Sequence, residues 1–269
     1  YPQSLRFDIA FQGDVDVVQE DPHIPMNMLA RRGPPWKQSH SPLLPKTEAQ
    51  RWFFLRTMPR PLIQTLLAAE DSQFWTHRGF DFSGIERAMQ FNLQHGTTKR
   101  GGSTISQQVV KNLFLSGKKH LTRKLQEAYL TWYMESKLPK WRILEIYLNI
   151  AAWGYGTYGI AQAAQTYFQR EVSQLRIEHI ALLATLLPYP YRFGTQIQQG
   201  WIASSRLTKF EHILRNLYHV QAISLPRYTR HLEQAMQGNI AGRTLFICAD
   251  DETAPEASPP CREIFQKDL

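Results

Sequence analysis

The sequence lacks several features that would assign the protein to common classes. No run of about 18 or more apolar residues occurs in the 269 residues, so the sequence contains no predicted transmembrane helix. There are only two cysteines, Cys248 and Cys261, and they form no Cys-x-x-Cys pair. The nine histidines include no His-Glu-x-x-His pair, so neither of these metal-binding patterns is present. The helical and strand patterns also do not alternate as they do in a dinucleotide-binding fold.

Acidic residues are missing from a long central segment, residues 88–126. Its lysines and arginines are interleaved with apolar residues: Lys99, Arg100, Lys111, Lys118, Lys119, Arg123 and Lys124. Such a charge run is often only a solvated face. Mixed with apolar residues, it also suits a membrane interface, and a phosphate or diphosphate fits the same charges. Nucleic acid is a weaker alternative because no recognisable nucleic-acid module accompanies the segment. The net charge of +8 favours anionic partners.

An acidic residue follows an apolar run before this segment. Pro59 and Pro61 suit the start of a helix, and Gly79 offers a stop. The apolar residues between them have helical spacing: Leu62, Ile63, Leu66 and Leu67. Glu70 is therefore predicted near the inner end of a buried helix. Burial disfavours the charged form of a carboxylate, which suits a general acid or base near neutral pH. The alternative is a surface carboxylate that only solvates the helix end.

A second acidic residue lies among the basic ones. A helix is predicted from Leu121, with Thr122 as its N-cap. On this helix Glu127 follows Arg123 by four residues and Lys124 by three. An ordinary surface ion pair is one interpretation. The other is a carboxylate that orients the basic side chains toward a leaving phosphate, and spacing alone does not choose between them.

These residues belong to ordered motifs. They read Glu-Asp-x-x-Phe-x-x-His-x-Gly over 70–79, Gly-Gly-Ser-Thr-Ile-Ser-Gln-Gln over 101–108, Arg-Lys-x-x-Glu over 123–127 and Lys-x-x-Ile-Leu-Glu-x-Tyr-Leu-Asn over 140–149. In this order they resemble glycosyltransferase family 51, the peptidoglycan glycosyltransferases, in its monofunctional form. Ser106 stands where the family usually has Thr, and the family's Arg-Arg-x-x-Val-Leu segment is only weakly echoed near Lys209, Ile213 and Leu214. The resemblance covers roughly residues 59–217.

The resemblance implies a mainly α fold, with a lysozyme-like helical lobe and a smaller membrane-facing jaw around residues 90–120. We predict an extended lead-in over 1–50 with a short strand over 5–11, a catalytic domain over 51–220, and a C-terminal extension of unknown role over 221–269. Within these, the patterns predict a helix begun by Pro139, a buried helix over 177–187, an amphipathic helix over 202–217 and a strand over 244–248. A disulfide between Cys248 and Cys261 is expected in an oxidising periplasm.

The resemblance also implies the chemistry. The family polymerises lipid II into glycan strands, with inversion at the anomeric carbon and release of undecaprenyl diphosphate. Glu70 would deprotonate the acceptor 4-hydroxyl as general base, and Glu127 would be a second essential carboxylate that orients basic groups. Basic side chains would stabilise the departing diphosphate: Lys111, Lys119, Arg123 and Lys124. The other predicted substrate-binding residues are Asp71, His77, Ser103, Thr104, Gln107 and Gln108.

For some of these residues a structural role is the alternative. Asp71 and His77 could instead hold the loop around Glu70. The helix residues Glu145, Tyr147 and Asn149 are interpreted as mainly structural.

The predicted partners are lipid II, the growing glycan strand, the bacterial inner membrane and other cell-wall synthesis proteins, with no nucleic acid. The resemblance implies that the protein lies at the periplasmic face of that membrane, and we expect it to be held there by an N-terminal anchor outside this chain. Mg²⁺ or Mn²⁺ sometimes assists diphosphate departure in the family, but no dedicated metal-ligand spacing is visible. Two alternative functions stay open: a lysozyme-like glycan-cleaving enzyme and a non-catalytic glycan- or lipid-binding protein. The basic segment argues against cleavage, because hydrolysis of a neutral glycosidic bond needs no diphosphate site.

One further pattern is discarded. The stretch Gly154-Tyr155-Gly156-Thr157-Tyr158-Gly159 formally matches a dinucleotide-binding motif. It follows a helix-like segment rather than a strand, so we do not predict a nucleotide site there.

Overall fold

The computed structural model describes residues 52–96, 101–115 and 121–248. The predicted lead-in over 1–50, its strand over 5–11, Lys119 and Cys261 lie outside the described residues, and so does the predicted disulfide as a pair. The described chain is mainly helical, which confirms the predicted fold class. Within it, no helix has the length and apolar character needed to cross a membrane.

The described elements are mostly helices joined by short connections. The α-helices are α1 (Arg60–Glu70), α2 (Phe82–Gln94), α3 (Ile105–Phe114), α4 (Leu121–Lys137), α5 (Lys140–Ile150), α6 (Gly159–Phe168), α7 (Ile177–Leu186), α8 (Pro190–Gln198), α9 (Ser204–His219) and α10 (Leu225–Met236). Short 3₁₀ helices span Leu55–Thr57 and Val172–Gln174. The strands are β1 (Ala152–Gly154), β2 (Thr157–Tyr158), β3 (Trp201–Ala203), β4 (Asn239–Ile240), β5 (Arg243–Thr244) and β6 (Phe246–Cys248).

Several helix boundaries follow from local chemistry. Pro59 and Pro139 are the N-caps of α1 and α5, and Glu70 lies at the inner end of α1, as predicted. The predicted stop at Gly79 is wrong, because α1 already ends at Glu70 and the chain turns from Asp71 onward. Thr104 and Gln107 form a reciprocal capping box at the start of α3. The predicted cap at Thr122 is wrong by a small margin, since α4 already begins at Leu121.

The predicted helix over 202–217 is corrected at its beginning. Its first residues belong to β3, and α9 begins only at Ser204. β3 pairs in parallel with β6, so that Ile202 lies opposite Ile247. The reason is tertiary: pairing with a distant segment overrides the helical pattern. The predicted strand over 244–248 is present, but Leu245 divides it between β5 and β6.

The core brings the ends of three helices together. α7 is buried on all sides from Ile177 to Leu186, as expected for a helix that is apolar all round. α1 packs against both α7 and α9, while α3 packs against α4 and α5. This arrangement places the C-terminal end of α1, with Glu70, between α3 and α9.

A separate jaw over 90–120 stays a prediction. Inside that range α3 contributes Ile105, Val109 and Val110 to the main hydrophobic core. Residues 97–100 and 116–120 lie outside the described part of the chain.

The described part of the C-terminal extension packs onto the helical lobe. β6 pairs with β3, and the Phe246 amide donates to the Gly200 carbonyl over 2.9 Å. The Arg243 guanidinium donates to the carbonyls of Tyr167 and Ile197, in the last turns of α6 and α8. The extension therefore stabilises helix ends that belong to the lobe.

Candidate active site

Glu70 lies at the last position of α1 and is held from two neighbouring helices. Its Oε1 accepts a hydrogen bond from Lys209 Nζ of α9 at 3.2 Å, and its Oε2 accepts one from Gln108 Nε2 of α3 at 3.4 Å. The Glu70 side chain is 10% exposed and that of Lys209 is 25% exposed. The carboxylate therefore has a fixed orientation while a small molecule can still reach it.

Tyr147 fixes the amide of Gln108. The Tyr147 hydroxyl donates to Gln108 Oε1 over 3.2 Å, so the NH₂ group of the amide is the end that faces Glu70. Burial raises the pKa of Tyr147 well above its usual value, and the nearby charges of Glu70 and Asp71 act in the same direction. The phenol thus stays protonated and remains a donor.

Asp71 and His77 support the loop that follows Glu70. Both Asp71 carboxylate oxygens lie 3.0 Å from His77 Nε2, and one of them accepts from the Ile105 amide over 2.9 Å. His77 Nδ1 accepts from the Gly79 amide, so the ring proton is on Nε2 and is donated to Asp71. Both side chains are buried. Their polar atoms join the loop to the start of α3, and contact with substrate stays a prediction.

The hydroxyl and amide side chains of residues 103–108 are partly buried in the fold and partly exposed. Thr104 is buried and its Oγ1 donates to the Gly79 carbonyl over 2.6 Å, while Gln107 is buried in the capping box. Ser103, directly before them, is exposed. Of this motif, Ser103 and Gln108 have the side chains placed to meet a ligand.

Glu127 is a buried carboxylate at the border of α3 and α4. It is 3% exposed, and its Oε1 accepts from Lys124 Nζ over 2.5 Å and from Gln107 Nε2 over 3.3 Å. An exposed i,i+3 pair would leave both groups in water, so this is not an ordinary surface ion pair. The geometry orients Lys124 through Glu127.

Lys111 and Arg123 complete a basic cluster with Lys124. Desolvation lowers the pKa of Lys111, although the residue as a whole is exposed; Glu127 raises this pKa, Arg123 and Lys124 lower it, and Glu70 raises it. The charges of both carboxylates therefore act on Lys111. Arg123 Nε is buried with no hydrogen-bond partner among the described residues. A buried donor without a partner is costly, so an anionic ligand oxygen would satisfy it.

A second polar layer lies behind the site. Glu135 accepts from Ser106 Oγ and from Lys140 Nζ, the latter over 2.7 Å. Lys140 Nζ also lies 4.5 Å from the centre of the Phe74 ring. Ser106 has the same hydroxyl donor as the threonine usual at this position, and here that hydroxyl binds Glu135. The layer joins the motifs at 70–79, 101–108 and 140–149.

Glu145 and Asn149 bind the backbone of the segment before α1. Glu145 accepts from the Leu55 amide over 2.7 Å and pairs with the buried Arg142, while the Asn149 amide exchanges hydrogen bonds with Phe53. These contacts are structural.

Sequence reasoning missed two partners in the site. Lys209 was singled out only as a weak motif echo, yet it carries the cation that pairs with Glu70. Tyr147 was interpreted as structural, yet its hydroxyl sets the amide beside Glu70. The feature of the sequence that points to Lys209 is its basic side chain four residues before Ile213, within the weakly matched Arg-Arg-x-x-Val-Leu segment.

Within the described residues, no group of three or more His, Cys, Asp or Glu side chains could hold a metal ion. The residues present therefore do not fit a dedicated cation site.

The described residues thus combine a helical lobe, an oriented carboxylate and a basic cluster. A family model described as Transglycosylase matches residues 38–217. The chain therefore belongs to the transglycosylase family, which confirms its resemblance to the monofunctional peptidoglycan glycosyltransferases and its assignment as an enzyme of that class.

Curated relatives agree with this membership. The chain is 44% identical over 158 residues to a protein of Methylobacillus flagellatus, covering 58% of this chain and 69% of the relative. It is 42% identical over 153 residues to a protein of Nitrosospira multiformis, covering 57% and 66%, and 43% identical over 164 residues to one of Nitrosomonas eutropha, covering 61% and 65%. Each relative is named biosynthetic peptidoglycan transglycosylase. The chain spans about two thirds of their length.

Proposed function

We propose that the protein polymerises lipid II into glycan strands, with Glu70 as general base and undecaprenyl diphosphate as leaving group. The observation that carries the proposal is that adjacent residues of α3 contact the two charged groups: Gln108 donates to Glu70, and Gln107 donates to Glu127, the carboxylate that pairs with Lys124. Glu70 offers an oriented carboxylate and the basic cluster offers cations. Transfer from a sugar diphosphate needs both.

The carboxylate would act on the acceptor. Glu70, held by Lys209 and Gln108, takes the proton of the acceptor 4-hydroxyl as that oxygen attacks the anomeric carbon of the donor. A single displacement inverts the anomeric centre. The new glycosidic bond forms as the bond to the diphosphate oxygen breaks.

The basic cluster would act on the leaving group. Negative charge grows on the diphosphate as the anomeric bond breaks, and Lys111, Arg123 and Lys124 stabilise it. Glu127 orients Lys124 and does not transfer a proton. Lys119 is a further predicted cation here. No step is assigned to a metal ion.

The location follows from the substrate. Lipid II is a membrane lipid, so we propose that the protein works at the periplasmic face of the inner membrane, with cell-wall synthesis proteins as neighbours. The relatives' names describe synthesis, which favours this function over glycan cleavage.

The test is incubation of purified protein with fluorescent lipid II in detergent, followed by gel separation of the products. We expect glycan ladders for the wild type and none for Glu70→Gln. Glu233→Gln is the matched control, because Glu233 is an exposed carboxylate on α10. A Glu70→Gln protein that polymerises at the wild-type rate would exclude Glu70 as the base. Cleavage of preformed strands without any ladder would support the hydrolase.

A further inference from the structure

Tyrosines gather on the surface formed by the β1–β2 hairpin and the start of α8. This tyrosine surface consists of Tyr155, Tyr158, Tyr189 and Tyr191. Tyr155 and Tyr189 are 67% and 64% exposed. The rings of Tyr155 and Tyr191 have centroids 5.0 Å apart, and the hydroxyls of Tyr158 and Tyr191 lie 3.4 Å apart. Adjacent exposed aromatic rings of this kind mark interaction sites more often than isolated ones do.

The backbone below the tyrosine surface is packed closely. Gly154 of β1 and Gly194 of α8 approach so nearly that a Cβ on Gly194 would lie 2.9 Å from the Gly154 Cα and 2.5 Å from the Tyr167 hydroxyl. That hydroxyl donates to the Trp153 carbonyl over 2.7 Å. The rings are thus presented on a fixed base, so that binding orders few new degrees of freedom.

The hairpin turn is also held in place. The Gln162 side chain accepts from the Tyr158 amide over 3.0 Å and donates to the Gly156 carbonyl over 2.8 Å. This turn is the glycine-rich stretch that formally matched a nucleotide motif. Its glycines serve a tight hairpin that carries Tyr155 at its tip.

The tyrosine surface is connected to the candidate active site. Tyr189 contacts Phe193 edge to face, with centroids 5.8 Å apart, and the Arg206 guanidinium lies 4.4 Å from the centre of the Phe193 ring. Arg206 is on α9 one turn before Lys209, the residue that pairs with Glu70. Residues three apart on a helix are neighbours on its surface. These contacts join the tyrosine surface to α9, the helix that carries Lys209.

The side chains suit a carbohydrate. A tyrosine ring offers an apolar face to the C–H face of a pyranose, and its hydroxyl offers hydrogen bonds to sugar hydroxyls. The hydrogen bond with Tyr158 and partial burial raise the pKa of Tyr191 to about 12, so the phenol stays a neutral donor. Arg192 and Arg206 beside Phe193 add positive charge, which complements acidic substituents on a strand.

We propose that the tyrosine surface binds the glycan strand beyond the sugars that react at Glu70. The inference rests on the proposed function, because that function makes a glycan polymer the substrate and product of the neighbouring site. It adds a strand-binding site outside the reacting centre. Exposed rings on a rigid base would keep the strand attached between additions.

The experiment measures binding of fluorescent, lipid-free glycan strands by anisotropy. The triple variant Tyr155→Ser/Tyr189→Ser/Tyr191→Ser should lose affinity roughly tenfold, as expected for several lost ring contacts. The matching triple Phe variant should keep most of the affinity. Tyr129→Ser/Trp132→Ser is the control, because these aromatics are exposed on α4, away from the tyrosine surface, and it should bind like the wild type. Thermal unfolding checks that each variant folds. If the triple Ser variant does not fold, the single variant Tyr155→Ser is measured in its place.

A second readout is strand length. With lipid II as substrate, the triple Ser variant should release shorter strands than the wild type. If the triple Ser variant kept the strand affinity and the strand length of the wild type, the inference would be overturned. The proposed function would still stand as long as the wild type makes glycan ladders. Absent wild-type ladders would reject the proposed function instead, and tyrosine-dependent strand binding would then still support the site. If the triple Ser variant lost binding to phospholipid vesicles but bound strands like the wild type, the strand-binding inference would be overturned in favour of a membrane contact.

Discussion

Glu70 receives one hydrogen bond from α3 and one from α9, and the bond from α9 carries a charge. Replacing Lys209 by Met removes the donor to Oε1 and leaves the carboxylate free to turn. We predict that kcat/KM for lipid II falls roughly 10- to 100-fold, because misplacement of a catalytic group is costly. Lys209→Arg should retain part of the activity, and Lys137→Met, an exposed lysine at the end of α4, should be neutral. Equal kcat/KM for Lys209→Met and the wild type would mean that the ion pair does not position the base.

Lys111 gives the cluster a pH dependence. Its pKa lies below the ordinary value of 10.5, so its positive charge is lost at a lower pH than that of a free lysine. Arginine stays charged throughout the same range. We predict that Lys111→Arg moves the alkaline fall of kcat/KM to higher pH, measured by pH–rate profiles for both proteins. The opposite shift, or identical alkaline limbs, would show that another group controls that limb.

Individual residues were predictable where the chemistry is local. Glu70 and Glu127 could be selected because helical spacing and nearby basic residues mark them. Lys209 could not be assigned to Glu70, since the two are 139 residues apart and only the packing of α9 on α1 joins them. Thr104 and Gln107 show the reverse case: their motif was visible, but the fold uses them as a helix cap.

At the scale of elements, α7 has a cap that depends on histidine. The neutral ring of His179 accepts a hydrogen bond from the Arg176 amide over 2.9 Å. Burial lowers the pKa of His179; Glu178 raises it, and Arg176, Arg170 and His231 lower it. The unfolded state therefore binds this proton more readily than the folded state does, so that stability falls as pH drops below about 6.5.

The corresponding prediction concerns acid sensitivity. His179→Gln keeps a side-chain oxygen acceptor for the cap but does not titrate. We expect urea unfolding to show that the wild type loses more stability than this variant between pH 7.5 and pH 5.5. His212→Gln, on α9, serves as a control for removing a histidine. Equal losses in wild type and His179→Gln would exclude His179 as the source.

Helices were predictable as elements because prolines, caps and apolar spacing agree along α1, α5 and α7. The error at Ile202 has a different origin. Its apolar spacing fits a helix as well as a strand, and only pairing with Ile247 decides. The hairpin at Gly154 is likewise not visible in the sequence, because its close packing against Gly194 of α8 depends on a segment 40 residues away.

At the scale of the molecule, the C-terminal extension supports the domain that the family defines. The family match ends at residue 217, yet β6 pairs with β3, the strand that leads directly into α9. α9 in turn carries Lys209. The described part of the extension thus borders α9, the element whose Lys209 pairs with Glu70.

Arg243 is the residue through which this support can be tested. Its guanidinium donates to carbonyls in the last turns of α6 and α8, where a cation is favourable. Hydrogen bonds from a charged donor contribute about 1.5 to 3 kcal/mol each. Arg243→Met removes two such bonds, and because Arg243 is only partly buried we expect the low end of their sum, a loss of roughly 3 kcal/mol in the free energy of unfolding.

Urea unfolding measures that loss. The free energy of unfolding of Arg243→Lys should lie between those of the wild type and Arg243→Met, because lysine keeps the charge but not the forked donors. Arg230→Met, at an exposed position on α10, controls for loss of a surface charge. Since β6 and Arg243 both brace segments next to α9, the Arg243→Met protein should also lose activity at temperatures where it is still folded. Unchanged unfolding and activity would mean that the extension packs on the lobe without stabilising it.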